Sequence, residues 1–346
     1  MKLFTSPLAV FIGVSALFCL SACNRNPIIE DYTFVVTGDN RVAPDDTVGD
    51  PSTTNTYQLK RMFKEVSELS PLPKMLIFNG DLVMGYTDGD TLRLAHELRE
   101  WIKIFKASPL AAKGVRLVAF PGNHETAEKM GSGKIATAAN ERTFVREMKD
   151  YIAGDNGPHY TGFRFGTDSL MTDQRNLTYS FDFGGDHYVI LSTDAVARES
   201  RIPYHWLEKD LKQAREDGAR HIFLFAHKPA WNVEFKNESG LDDFPANRDS
   251  AWDVMNRYNA DIFFCSHFHI WDTVHTHGST WEVVCGNAGA PCPLDWPNPY
   301  YGFTIVRVHS NQVDITSMGR NVNDSTYTAP RDDKPTTMRA KFTISK

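Results

Sequence analysis

Five short blocks of the chain place metal-binding side chains directly after apolar runs. The blocks are Thr37-Gly38-Asp39-Asn40-Arg41, Asn79-Gly80-Asp81, Pro121-Gly122-Asn123-His124-Glu125, Ala226-His227-Lys228-Pro229 and Ser266-His267-Phe268-His269. Carboxylate oxygens, amide oxygens and neutral imidazole nitrogens, without thiolate, form a ligand set for divalent cations. One such block would carry little information. Five blocks in this order predict that aspartate, asparagine and histidine side chains are gathered at one place in the fold.

The elements that must position these blocks alternate along the chain. Six runs rich in β-forming residues have strand length, at residues 32–37, 75–79, 115–120, 187–193, 221–226 and 261–265. Between them, apolar residues recur at helical spacing in residues 57–69, 91–105, 203–216 and 248–258. This alternation predicts a layered α/β protein. Open α/β sheets bind ligands outside the carboxyl ends of their strands, which is where the five blocks lie.

The later part of the chain has a different pattern. Residues 179–193, 280–285 and 301–317 are strand-like and contain turn residues such as Gly184-Gly185 and Ser310-Asn311. They predict antiparallel additions, and hence two sheets with helices outside. Residues 153–176 and 231–247 are predicted to be long loops rich in aromatic residues, which are the segments where substrate specificity usually lies.

The predicted cluster suits a phosphate ester. Two metal ions in one site can hold both oxygens of an in-line displacement at phosphorus. With Asp39 and Asp81 as the only ionised ligands, two divalent cations leave a net positive charge that complements phosphate. Gly38, Gly80 and Gly122 each precede a candidate ligand, and glycine permits the sharp turn that directs the following side chain.

The order Gly-Asp, Gly-Asp, Gly-Asn-His-Glu, His and His-x-His resembles the calcineurin-like metallophosphoesterase superfamily. The resemblance extends over about residues 34–289. It implies an α/β fold, a four-layer α/β/β/α sandwich of two mixed sheets flanked by helices. It also implies hydrolysis of a phosphomonoester or phosphodiester by a metal-bound hydroxide, with two divalent ions that are manganese, iron or zinc.

The resemblance assigns a role to each matching residue. Asp81 bridges the two metals, and His124 protonates the leaving alcohol. The remaining metal ligands are Asp39 and His269 on the first metal, and Asn123, His227 and His267 on the second.

Two positions depart from the pattern of the superfamily. The first block usually has Asp-x-His, whereas this chain has Asp39-Asn40-Arg41, and arginine stays protonated and cannot bind a metal. Arg41 could hold a phosphate oxygen and so act in catalysis, or it could weaken the first metal. The second departure is at residues 82–85, where some relatives have an aspartate that orients the catalytic histidine and this chain has none. Asp88 or Asp90 could take its place.

The N-terminus predicts export and a lipid anchor. A lysine at position 2 precedes an apolar run at residues 8–20, which is too short to span a membrane, and Leu20-Ser21-Ala22-Cys23 follows. This resembles a bacterial lipobox, which implies lipid on Cys23 and an extracytoplasmic, membrane-anchored location. A plain secretory signal with a chance cysteine is the alternative. The predicted divisions are a lipoprotein signal peptide (1–22), a tether (23–30), the catalytic domain (31–320) and a polar tail (321–346), which could end in an edge strand at 341–344.

Charge and cysteine content limit the partners. Removal of residues 1–22 takes away one lysine and no acid, so the formal net charge falls from −6 to −7. A mildly acidic chain without a basic block argues against nucleic acid bound by charge, and a small phosphorylated substrate is the expected partner. Cys285 and Cys292 could form a disulfide.

The alternative functions are a phosphoprotein phosphatase with the same fold, and a catalytically degenerate lipoprotein that only binds a ligand.

Overall fold

The structure is a computed structural model that describes residues 1, 28–29, 31–43, 51–131, 133–159, 168–231, 239–293, 296–322 and 335–346. The described residues form sixteen strands: β1 (Tyr32–Thr37), β2 (Met75–Asn79), β3 (Arg116–Phe120), β4 (Ala127–Met130), β5 (Gly133–Ala136), β6 (Tyr179–Phe183), β7 (Asp186–Leu191), β8 (Asp194–Ala195), β9 (Arg198–Glu199), β10 (Ile222–Ala226), β11 (Ile262–Cys265), β12 (Trp271–Val274), β13 (Trp281–Cys285), β14 (Tyr300–Val308), β15 (Gln312–Asn321) and β16 (Thr337–Ser345). They also form seven α-helices: α1 (Thr56–Ser67), α2 (Thr91–Lys106), α3 (Pro109–Ala112), α4 (Asn123–Thr126), α5 (Ala138–Met148), α6 (Tyr204–Glu216) and α7 (Pro245–Arg257).

Two six-stranded mixed sheets form the centre of the molecule. The first has the strand order β16-β15-β14-β1-β2-β3, and the second has the order β12-β13-β11-β10-β7-β6. In the first sheet β1, β2 and β3 are parallel, with Phe34 opposite Met75, while β14 to β16 are antiparallel. In the second sheet β7, β10, β11 and β13 are parallel, and β6 and β12 are antiparallel edges. The predicted fold class is confirmed.

Apolar residues alternate between the two faces of each sheet and so form three buried layers. In β1, Phe34 points to a cluster shared with the second sheet, where it meets Phe223 and Phe264. The next residue, Val35, points to the outer cluster beneath α1, α2 and α5. The corresponding outer cluster of the second sheet lies beneath α6 and α7 and includes Leu207. This is the α/β/β/α order, and it follows from the period of two in a strand.

Local signals explain where the main helices begin. Asn55 caps α1 by accepting a hydrogen bond from the amide of Gln58, and Asp90 caps α2 through the amides of Leu92 and Arg93. The predicted apolar stripes of both helices are buried. Their sequences therefore contain both the start signal and the packing face.

The structure corrects several boundaries. The helix Ala138–Met148 and the hairpins β4–β5 and β8–β9 were not predicted. The helix predicted at 248–258 begins at Pro245, inside the segment predicted as a loop. The edge strand expected at 341–344 extends over Thr337–Ser345 and pairs with β15, because alternating residues there continue the sheet beyond residue 320.

The disulfide that the sequence allowed between Cys285 and Cys292 is not formed. Cys265, Cys285 and Cys292 are all free and buried. Cys23 and the signal sequence, apart from residue 1, lie outside the described residues. Among the residues that the structure describes, no helix has the length and apolar composition needed to cross a membrane.

Candidate metal centre

The five sequence blocks meet where parallel strands of both sheets end. Strands β1, β2 and β3 end just before Asp39, Asp81 and Asn123, and β10 and β11 end just before His227 and His267. Hydrogen bonds tie the loops of the two sheets together across this point. The amide of His267 donates to Asp39 Oδ2 at 2.6 Å, and His227 Nδ1 donates to the carbonyl of Asn79 at 2.9 Å.

The six predicted ligands, which include Asp81, are gathered in one cluster. Ligand atoms of Asp81, His227 and His267 lie within 4.8 Å of one another. A second group of the same compactness contains Asp39, Asp81 and His269. The two groups share Asp81, as expected for a residue that bridges two metals.

Asn123 completes the group that contains His227. Its Oδ1 lies 3.0 Å from His227 Nε2, while its Nδ2 donates to the hydroxyl of Tyr86. This second contact holds the amide so that its oxygen faces the cluster. Tyr86 was not identified from the sequence, since it follows Asp81 by five residues and belongs to none of the blocks.

The imidazoles are oriented by backbone carbonyls. A carbonyl can only accept, so Nδ1 of His227 donates to Asn79, and Nδ1 of His269 donates to Pro291 at 2.8 Å. The Nε2 atom of each ring then faces the cluster. Ligating histidines are commonly held in this way.

Four ligands have left-handed backbone. The φ angles are +58° at Asp39, +50° at Asp81, +75° at His267 and +54° at His269. This conformation is strained for residues with a Cβ, and such residues concentrate at functional sites. The surrounding hydrogen bonds and packing therefore hold these side chains in positions that the local sequence alone would not favour.

Glycine allows the ligand loops to approach closely. Gly80 has a φ of +81°, and a Cβ there would lie 2.6 Å from the amide nitrogen of Gly122 and 2.7 Å from His227 Nδ1. A Cβ at Gly122 would lie 2.2 Å from Asp81 Oδ1. The two glycines predicted to direct Asp81 and Asn123 thus also make room for His227.

Glu125 connects two of the ligand loops, a role that the sequence analysis did not assign. Its Oε2 accepts from the amides of Asp81 and Gly122 at 3.0 and 2.8 Å, and its Oε1 accepts from the amide of Val83 at 3.0 Å. The side chain is fully buried. A glutamate at the third position of the four-residue helix α4 was the sequence signal for this role.

His124 lies beside the cluster with a backbone partner. Its Nδ1 donates to the carbonyl of Met84, and its Nε2 lies 3.7 Å from Asp81 Oδ2. The Tyr86 ring packs against the imidazole, with centroids 4.1 Å apart. The Met84 carbonyl thus orients the imidazole of His124, which an aspartate orients in some relatives.

Arg41 contacts ligand atoms of the group that contains Asp39. Its Nε donates to Asp81 Oδ2 at 3.4 Å, and its Nη2 lies 3.3 Å from His269 Nε2. Because guanidinium is always a donor, His269 Nε2 is the acceptor. The charged head of Arg41 therefore binds two of the three ligands predicted for the first metal.

Lys228, which follows His227, has other partners. Its ammonium lies 2.6 Å from Asp194 Oδ1 and donates to Ser200 Oγ at 3.1 Å. Lys228 and Asp194 are both buried, so the pair anchors the chain immediately after His227. A direct contact between Lys228 and phosphate would require this ion pair to break.

Burial and neighbouring charges shift the pKa values of Asp39 and Asp81 in opposite directions. Burial raises the pKa of Asp39 well above its usual range. Burial acts in the same direction on Asp81, but its interactions with His124, His227 and Arg41 outweigh burial and hold the pKa of Asp81 well below its usual range. Asp81 is thus the more readily ionised of the two carboxyl groups.

Three imidazoles are held neutral. Burial is the largest cause and lowers the pKa of His124, His267 and His269, the last to about 3, and the charge of Arg41 adds to this at His124 and His269. At His227 burial is outweighed by Asp81 and Asp39, and the pKa rises to about 10. Metals bind neutral imidazole, so His227 would release a proton on binding a cation.

The donor set fits divalent cations. Asp39 Oδ1 and Asn79 Oδ1 are buried and, among the described residues, have no hydrogen-bond partner. An unpaired buried carboxylate oxygen is costly, and a bound cation would remove that cost. The cluster mixes oxygen and imidazole donors, which suits manganese, iron or zinc.

Comparison with known proteins gives a family for most of the chain. Residues 28–271 match the family model of the calcineurin-like phosphoesterases. The chain is also 26% identical to purple acid phosphatase 23 of Arabidopsis thaliana over 167 residues, which are 48% of this chain and 31% of that protein. Purple acid phosphatase 22 of the same plant is 26% identical over 184 residues, 53% of this chain and 35% of that protein. The chain spans about a third of the length of these relatives.

Solved structures resemble the fold at low identity. A purple acid phosphatase from yellow lupin (Lupinus luteus) superimposes with a TM-score of 0.59 and 16% identity, covering 93% of this chain and 55% of that chain. A dimetal phosphatase from Danio rerio gives a TM-score of 0.54 and 13% identity, covering 87% of this chain and 100% of that chain. At these identities the likeness concerns the fold.

Proposed function

Because this chain belongs to the calcineurin-like phosphoesterase family, we propose that it hydrolyses phosphate esters at a site that holds two divalent cations. The observation that carries the proposal is the pair of ligand groups that share Asp81. The purple acid phosphatases among its relatives support a phosphatase activity. Neither the substrate nor the whole activity of those longer proteins is transferred with the match.

The proposed ligands divide into two sets around Asp81. Asp39 and His269 join Asp81 on the first cation, and Asn123, His227 and His267 join it on the second. When bound, the cations supply Lewis acidity toward the phosphate oxygens and lower the pKa of water. Glu125 keeps the loops of Asp81 and Asn123 in register.

We assign His124 the role of proton donor to the leaving alcohol. The Met84 carbonyl accepts a hydrogen bond from Nδ1, so Nε2 is the nitrogen that faces the site. Burial and Arg41 keep the ring neutral when no substrate is bound. A phosphate anion beside it would raise its pKa, so that Nε2 gains the proton that the leaving oxygen needs.

Arg41 supports phosphate binding in this scheme. Arg41 contacts Asp81 and His269, the residues that would hold the first cation with Asp39. If its guanidinium left these two residues, it could donate two hydrogen bonds to a pair of phosphate oxygens.

A second candidate function follows from the contacts of Arg41 with Asp81 and His269. If Arg41 keeps its contacts with Asp81 and His269, its positive charge takes the place of the first metal. The protein would then bind a phosphate ester without turning it over. Metal content separates this degenerate binder from the enzyme.

The first test is metal stoichiometry together with turnover. The chain is loaded with manganese, desalted and measured by elemental mass spectrometry. Nitrophenol release is followed from a nitrophenyl phosphate monoester and from the corresponding diester, and phosphate release is followed from a phosphoprotein. We expect about two metals per chain and turnover. Asp81→Asn should lower kcat at least about 100-fold, whereas Asp150→Asn, at an exposed position, should not. One metal or none, with phosphate binding but no turnover, would establish the second candidate, and Arg41→His should then restore metal.

A further inference from the structure

A short hairpin places two lysines next to the catalytic histidine. Strands β4 and β5 follow α4 directly, so the hairpin starts three residues after His124. In its register Lys129 lies opposite Lys134, and both side chains are exposed. Gly131, in the tight turn, has a φ of +61°, which suits a two-residue connection that fixes this register.

Both ammonium groups lie over the same aromatic ring. Lys134 Nζ is 5.2 Å and Lys129 Nζ is 5.7 Å from the centroid of the Tyr86 ring. The Tyr86 ring packs on His124, and its hydroxyl accepts a hydrogen bond from the candidate ligand Asn123. Two positive charges are therefore held beside the reacting centre by a residue that contacts both the proposed acid and a proposed metal ligand.

The hairpin brings two like charges together on one face. Like charges directly opposite on neighbouring strands repel, and the Tyr86 ring attracts both ammonium groups. The acid on this hairpin, Glu128, lies on the other face, where its Oε1 accepts from Asn140 Nδ2 at 2.7 Å. An anion bound near both lysines would be attracted by both ammonium groups.

We propose that Lys129 and Lys134 bind a second anionic group of the substrate. The preferred substrates are then phosphate esters that carry another phosphate or a carboxylate in addition to the ester phosphate. This inference rests on the proposed function, since it locates the ester phosphate at the metal centre. It assigns the hairpin β4–β5 to substrate selection, whereas the sequence pointed to residues 153–176 and 231–247.

The test compares substrates that differ in one charge. Phosphate release is measured from glycerol 1-phosphate and from 3-phosphoglycerate, which has a carboxylate in place of the terminal alcohol. We expect the wild type to prefer 3-phosphoglycerate in kcat/KM. In the double variant Lys129→Gln/Lys134→Gln, the ratio of the two kcat/KM values should fall about tenfold. This is the size of effect expected for two exposed charge contacts. Lys129→Arg/Lys134→Arg should keep it, and so should Lys60→Gln/Lys64→Gln, which removes the same charge from the exposed face of α1.

A binding measurement separates failure of the inference from failure of the proposed function. Calorimetry on the manganese-loaded full-length protein compares 4-phosphonobutyrate with butylphosphonate, which lacks the carboxylate and, like it, cannot be hydrolysed. Tighter binding of 4-phosphonobutyrate that disappears in the glutamine variant supports the hairpin site even if no ester is turned over. Equal binding of both ligands, or a preference that the glutamine variant keeps, overturns the inference whether or not the protein is a phosphatase.

Discussion

Glu125 controls the positions of several ligands without being a ligand itself. Its two oxygens accept three backbone hydrogen bonds, from Asp81, Val83 and Gly122. Burial and the charge of Asp81 raise the pKa of Glu125 to about 7, and the amides of Val83 and Gly122 and the charge of His227 oppose that rise. One side chain thus joins the loop after β2 to the loop after β3.

Glu125→Gln should weaken metal binding more than its size suggests. In the variant, the NH2 group of glutamine faces a backbone N–H that donates to a carboxylate oxygen in the wild type. The loss of this hydrogen bond should lower the free energy of unfolding by about 1–3 kcal/mol. Manganese affinity should also fall, by about 10- to 100-fold, the range seen when residues that orient ligands are changed. Urea unfolding and metal titration measure the two effects.

Glu141→Gln is the matched control. Glu141 is also a buried carboxylate that accepts two N–H groups, from Val196 and Gln174, but it orients no ligand. It should lose stability and keep its metal affinity. Equal metal affinity in both variants would contradict the role of Glu125.

At the scale of elements, His187 joins β7 to α6. Its Nδ1 lies 2.7 Å from Asp182 Oδ1 and its Nε2 lies 2.9 Å from Asp210 Oδ2. Burial of the ring favours the neutral form, but the two carboxylates outweigh burial and raise the pKa of His187 to about 9. The charged imidazole therefore holds the antiparallel edge of the second sheet to its outer helix.

This contact should make stability depend on pH in a defined direction. Histidine in an unfolded chain titrates near pH 6.5, so the stabilisation is complete below about pH 6.5 and is lost as the pH rises through about 9. Urea unfolding should show His187→Gln less stable than wild type by roughly 1–3 kcal/mol at about pH 6, and by much less at about pH 10. The exposed His96→Gln should show no such change. If the stability difference between His187→Gln and wild type is the same at both pH values, the ion pairs of His187 are not its cause.

At the scale of the whole molecule, the candidate metal centre lies between the two sheets. Asp39, Asp81 and Asn123 follow strands of the first sheet, whereas the three candidate histidines follow strands of the second. The apolar layer between the sheets therefore sets the distance between the two halves of the site. Phe34 lies in that layer, with its ring centroid 5.2–6.2 Å from those of Tyr188, Phe223, Phe225 and Phe264.

Phe34→Ala should affect both stability and metal binding. The cavity should lower the free energy of unfolding by about 3–5 kcal/mol. Because the change loosens the packing of one sheet on the other, the manganese affinity should fall as well. Phe63→Ala, in the outer cluster beneath α1, creates a similar cavity but leaves the contact between the sheets intact. Similar losses of manganese affinity in both variants would show that the sheet interface does not set the site geometry.

Much of the architecture, and the set of side chains that would gather at the candidate metal centre, could be predicted from the sequence. The strands Tyr32–Thr37 and Met75–Asn79 have the predicted bounds, because each is an apolar run ended by a glycine block. The helix Ala138–Met148 was missed because its apolar residues are few and polar residues fill most of its length. The grouping of Asp39, Asp81, His227, His267 and His269 agrees with the predicted sets.

The sequence by itself determined which residues could form a metal centre and at which strand ends they lie. Periodicity, turns and residue type are local properties, and they are sufficient for that. Only the tertiary structure decided that Met84 orients His124, that Arg41 contacts Asp81 and His269, and that Lys129 and Lys134 lie over Tyr86. These contacts depend on how loops pack after the two sheets have come together, and no local pattern encodes that geometry.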